Sequence, residues 1–143
     1  MHDWLREDLT RIREAAVTGS VRGRVGRPLA VHCAAFCSAL TRHHTGEDAG
    51  AFPALAAAFP ELRAVLAKLE EDHVLIAGII ARVEEIARVV GEGSGTAELV
   101  GELDGLAAIL ESHFSFEERR IVRALDDLAG APAEMLGVDP PRI

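Results

Sequence analysis

Arg42-His43-His44-Thr45-Gly46-Glu47-Asp48, followed by Phe52-Pro53-Ala54-Leu55, is the stretch whose reading decides the fold. Two adjacent imidazoles with a carboxylate one helical turn later are costly to bury, and a shared metal ion is the commonest reason to bury them together. Leu29, Cys33, Phe36, Leu40, His43 and Glu47 recur at spacings of 4, 3, 4, 3 and 4, the stripe of a helix from about Pro28 to Asp48. An apolar seam therefore ends in a histidine and a glutamate. Gly46 and Gly50 weaken the helix at that end, and Phe52-Pro53 and Phe59-Pro60 mark a bent connection that still buries its aromatics.

Three further seams flank this one. Upstream, His2, Leu5, Leu9, Ile12 and Ala16 form a stripe over about His2 to Val17, closed by Thr18-Gly19-Ser20 and a loop of roughly ten residues through Gly23 and Gly26. Downstream, Leu62, Leu66, Leu69, His73, Ile76, Ile80, Val83, Ala87 and Val90 define a helix from Pro60 to Val90, with one histidine in an aliphatic seam. Gly91-Glu92-Gly93-Ser94-Gly95 ends it, and Thr96 is the expected N-cap of the last helix. There Leu99, Leu103, Leu106, Leu110, His113 and Glu117 again end a seam in His-xxx-Glu, and the helix reaches about Leu128.

Composition narrows the class. A chain of 143 residues, 49% hydrophobic, has room for one proper core, taken as residues 1–130 with an irregular tail over 131–143. The absence of Tyr and the 4% aromatic content favour helix over sheet. A formal charge of −8, with arginines scattered over several segments, argues against nucleic acid. Without a basic-then-apolar leader or a long apolar run, neither a signal peptide nor membrane association is expected. Cys33 and Cys37, one helical turn apart, have poor disulfide geometry and read as reduced core residues, which fits a cytoplasmic protein.

Four amphipathic helices with at least two short connections predict an all-α fold, an antiparallel up-down-up-down four-helix bundle, whose core is where such proteins build metal sites. His2 and His43 lie 41 residues apart and His73 and His113 lie 40 apart, so the chain has two halves, each a histidine, a helical hairpin and His-xxx-Glu. At 1.5 Å per residue, the outward and returning arms of each hairpin match in length and bring its histidines to one layer. Residues four apart share a helix face, and a carboxylate can bridge two ions where one imidazole cannot. The set supplies about six ligands, enough for two metals with positions left open.

This pattern resembles the hemerythrin-like, or HHE cation-binding, family in its bacterial order of His, His-xxx-Glu, His, His-xxx-Glu. The matching residues are His2, His43 with Glu47, His73, and His113 with Glu117, supported by the strings Glu47-Asp48, Phe52-Pro53-Ala54-Leu55 and His113-Phe114-Ser115-Phe116-Glu117-Glu118. The resemblance implies a centre of two Fe ions, bridged by two carboxylates and by an oxo or hydroxo group. It also has departures. Oxygen-carrying hemerythrins have a second histidine four residues along the third helix, where this chain has Ala77, and an aspartate five residues after the last histidine, where this chain has Glu117 after four. One ligand fewer leaves an exchangeable position, which suits peroxide chemistry. In some family members a ligand directly follows the first His of His-xxx-Glu, and His44 there would restore the count.

Other polar residues have simpler readings. His32 lies three turns before His43 and reads as a hydrogen-bonded boundary histidine. Glu70, three before His73, has no counterpart before His113, where Leu110 stands, and is assigned to the surroundings of the ligands. The expected activity is disproportionation of hydrogen peroxide, against a reversible O2, NO or iron binding module, or a biosynthetic oxygenase that would require a cavity for an organic substrate. The expected partners are small molecules, and the expected state is a monomer or weak homodimer.

Overall fold

The computed structural model describes residues 1–22, 27–91 and 95–127. The described residues form α1 (His2–Arg22), α2 (Arg27–Gly46), a π-helical turn (Glu47–Ala51), α3 (Phe52–Ala58), a 3-10 turn (Pro60–Leu62), α4 (Arg63–Gly91) and α5 (Thr96–Asp127). The long helices α1, α2, α4 and α5 form the bundle. Helix α1 packs on α2 and α5, and α4 packs on α2 and α5, closing the ring expected for an up-down-up-down order. No described helix is long and apolar enough to cross a membrane.

The seams are buried as the periodicity predicts. Leu5, Leu9, Ile12, Leu40, Ile76, Val83, Leu99, Leu103 and Leu106 join a large core cluster that runs from one end of the bundle to Phe114. A smaller cluster gathers Ala51, Phe52 and Leu55 with Val65, Leu66, Leu69 and Ile121. The polar seam residues lie between the two clusters, because α4, α5 and the run from α2 into α3 cross from one to the other there, while α1 adds His2 from its first turn. On α4, for example, His73 separates Leu69 of the small cluster from Ile76 of the large one.

Three local expectations are corrected. Helix α1 does not stop at Val17 but continues through Thr18 and Gly19 to Arg22, because Gly19 is buried and packing offsets the roughly 1 kcal/mol that a mid-helix glycine costs. The bent connection after Gly46 is instead continuous helix through the π turn, in which the Phe52 N–H donates to the Glu47 carbonyl five residues back. The π turn and α3 together bury Glu47, Ala51, Phe52 and Leu55. The N-cap of α5 is Gly95 rather than Thr96, since the Gly95 carbonyl accepts the Leu99 N–H at 3.0 Å. Gly95 has φ +82°, which glycine adopts without strain. The centre of the expected first loop, residues 23–26, and the expected tail, 131–143, lie outside the described residues.

Candidate metal centre

Each bundle helix delivers histidine at one level. His2 from α1 faces His43 from α2 with the two Nε2 atoms 3.0 Å apart, while the His44 ring stacks on His73 of α4 at 3.9 Å between centroids. His113 of α5 meets both His44 and His73 edge-on, at 5.2 and 5.0 Å. Glu47 and Glu117, one turn after His43 and His113, enter the same layer and are 3% and 2% exposed.

The donor atoms fall into two groups, each drawn together within 4.8 Å: His44, Glu47, His73 and His113, and His2, His43, Glu47 and Glu117. Glu47 belongs to both. Its Oε1 lies 3.4 Å from Nε2 of His43 and 3.4 Å from Nε2 of His73, so this one oxygen stands between the groups. Glu117 Oε2 is 3.6 Å from Nε2 of both His2 and His113 in the same way. Two nitrogens about 2.1 Å from one ion and at right angles stand about 3 Å apart, the separation of His2 and His43.

Five buried polar atoms in this layer have no hydrogen-bond partner: Nε2 of His44, His73 and His113, Oε1 of Glu47 and Oε2 of Glu117. A single such atom costs about 1–3 kcal/mol, and five converging on one spot call for a cation. Nitrogen and carboxylate donors suit a divalent transition metal.

An outer ring of carboxylates fixes the imidazoles. His73 Nδ1–H donates to Asp48 at 2.7 Å and His113 Nδ1–H to Asp72 at 3.2 Å, while His2 Nδ1 faces Glu118 at 3.4 Å. A proton held on Nδ1 leaves the Nε2 lone pair aimed into the centre, the tautomer a metal requires. Two of these acids immediately follow the glutamates of His-xxx-Glu, and they work crosswise: Asp48 after Glu47 serves the second half's His73, and Glu118 after Glu117 serves the first half's His2. Arg6 backs Glu118 at 2.9 Å and also grips Glu111 at 2.8 Å; Lys68 backs Asp72 at 3.1 Å.

Electrostatics agree with this arrangement. Burial lowers the pKa of His2 and His73, and lowers that of His44 further with the help of His73 and His43 beside it, so these imidazoles resist protonation. Burial, then the hydrogen bond and charge of Glu117, hold the Glu47 carboxyl well above the usual range. Burial opposes ionisation of Glu118 and Asp72, but the hydrogen bonds from Arg6, and from His113 and Lys68, leave both below it.

All seven residues singled out from sequence thus converge in the two donor groups. His44, whose direction spacing left open, is 5% exposed and sits among the donors, whereas Ala77 is exposed, in a groove that His44 and His73 also line. Glu70 does not surround the ligands: it is exposed, and Asp48, Asp72 and Glu118 take that role. In the sequence Asp48 and Glu118 stand only in the strings that support the resemblance, as the acid directly after each His-xxx-Glu, and nothing marks Asp72. His32 bonds Asp8 at 2.8 Å, away from the centre, and Cys33 and Cys37 are free and buried.

No curated protein and no solved structure matches the chain. The hemerythrin HHE cation binding domain matches it over residues 1–125, a span that includes every donor described above. With the four-helix architecture and the paired donor groups already in view, the chain belongs to the hemerythrin HHE cation-binding family.

Proposed function

We propose that the chain holds two iron ions, one in each donor group with Glu47 and Glu117 between them, and disproportionates hydrogen peroxide. The observation that carries the reading is the convergence of five unpartnered buried donors on one layer. The group rich in imidazole, with His44, His73 and His113, has the fuller ligand set. The group of His2 and His43 opens onto a cavity of about 290 Å³, through which a small molecule reaches it. When bound, a di-iron pair supplies the two electrons that reduce one peroxide to two waters and recovers them from a second, which leaves as dioxygen.

The protein's own residues prepare that site. Asp48, Asp72 and Glu118 keep the Nδ1 protons of His73, His113 and His2 on the outer side, and apolar residues pack above and below the layer. Free, buried Cys33 and Cys37 suit a reducing cytoplasm. A second reading, reversible binding of O2 or NO without turnover, draws support from His44, which fills the ligand set that Ala77 leaves short. Iron-loaded protein should evolve dioxygen from peroxide, and His113→Ala should abolish it. A protein with two irons bound that evolves none overturns the peroxide reading.

A further inference from the structure

Two openings lead to the metal layer, and they differ in charge. The groove between α2 and α4 is lined by Thr41, Thr45 and Ala77 beside His44 and His73, and its one carboxylate, Asp48, already accepts the His73 Nδ1–H at 2.7 Å. The cavity beside His2 and His43 is lined by four carboxylates, Asp3, Glu47, Glu117 and Glu118, and by no lysine or arginine among the described residues. Arg6 reaches two of them from outside the lining, but it is shared among Asp3 at 3.3 Å, Glu118 at 2.9 Å and Glu111 at 2.8 Å. Even with the Met1 amino group counted, the carboxylates are in excess.

These carboxylates are graded in depth. The side chains of Asp3, Glu118 and Glu117 are 91%, 34% and 3% exposed, and at the inner end Oε2 of Glu117 and Oε1 of Glu47 are buried without a hydrogen-bond partner. A divalent cation arriving from solvent thus meets an exposed acid, then a partly buried one, then unsatisfied donors. We propose that this cavity is the port through which the metal ions enter, with Asp3 as the outer capture residue and Glu118 as the step between it and the donors of His2 and Glu117. The port rests on the metal centre proposed above. A cleft lined by one sign of charge concentrates the opposite ion and raises its rate of association, which an uncharged opening does not do.

The test is stopped-flow mixing of the metal-free chain with Co2+, followed by quenching of Trp4, the single tryptophan, with metal analysis of the final samples. Asp3→Lys should bind roughly three- to tenfold more slowly than the parent at about 0.1 M salt, reach the same final ion count, and lose most of the difference near ~0.5 M salt. Glu14→Lys, the same charge change at an exposed site about 16 Å further along α1, should bind at the parent rate. Release to a chelator from the Co2+-loaded chain reads the same passage without depending on how the metal-free chain folds. Val122→Trp, at a wall position 40% exposed, should slow that release, whereas Ala77→Trp in the groove should not. Equal uptake by Asp3→Lys and Glu14→Lys, or slowing by Ala77→Trp in place of Val122→Trp, overturns the port and leaves the metal centre standing. A parent chain that takes up no Co2+ overturns both.

Discussion

Asp48 accepts a 2.7 Å hydrogen bond from Nδ1 of His73, a residue 25 positions away on the neighbouring helix. This bond joins the π turn to α4 and fixes the ring whose Nε2 faces Glu47. Asp48→Asn keeps an acceptor but loses the charge, and partners of this kind typically contribute 10–100-fold to metal affinity. Competition against a chelator should show a loss in that range. Unchanged affinity would mean that His73 is oriented by packing alone.

Arg6 ties the first turns of α1 to α5 through Glu118 and Glu111, and it lies over the Phe114 ring at 5.4 Å. Arg6→Met should loosen His2 and release the ion of the His2 and His43 group ahead of the other. Metal analysis should then approach one ion per chain, with partial recovery in Arg6→Lys. Equal loss of both ions would contradict the separate holding of the two groups.

Glu47 and Glu117 are buried carboxylates side by side, which opposes folding of the metal-free chain. The Glu47 carboxyl titrates above its ordinary 4.5 in the folded protein, so the native state holds its proton more tightly. Stability from this group is complete below pH 4.5 and is lost as pH rises through the folded pKa. Glu47→Gln should therefore melt higher than the metal-free parent at pH 7, by about 3 °C for each kcal/mol relieved, with the advantage shrinking toward pH 4.5. A lower melting point at pH 7 would show that the carboxylate is satisfied without metal.

Burial pushes the Cys33 thiol up to about 11 and the Cys37 thiol up to about 12, from an ordinary 9.0. Neither should react with an alkylating reagent in the native protein at pH 7.5, and both should react once unfolded. Their contribution to stability is intact below pH 9 and is lost as pH rises through about 11, so alkaline unfolding should begin in that window. Rapid native alkylation would contradict the packing of α2.

The bundle and the donor layer were legible because burial imposes a 3-and-4 spacing, and a polar residue on such a seam must have a reason to be there. His43, Glu47, His73, His113 and Glu117 all betray themselves in this way. His44 does not, because it sits one residue off the seam and only the packing of α2 against α4 turns it inward. Asp72 lies off the seams too, and its partner is on another helix, so spacing within one helix cannot reveal it, whereas Asp48 and Glu118 show in the sequence only as the acid that follows each His-xxx-Glu. The π turn was hidden because Gly46 and Gly50 weaken a helix without saying whether it ends or widens. The continuation of α1 past Gly19 goes with the burial of that residue, which spacing alone does not reveal.

Two ions sharing Glu47 is the central claim, and metal stoichiometry tests it most directly. Iron-loaded protein should carry two ions per chain, and Glu47→Gln, which replaces the carboxylate of both groups by a neutral amide, should carry fewer than one while remaining helical. A parent with a single ion, or a variant that keeps two, would contradict the account.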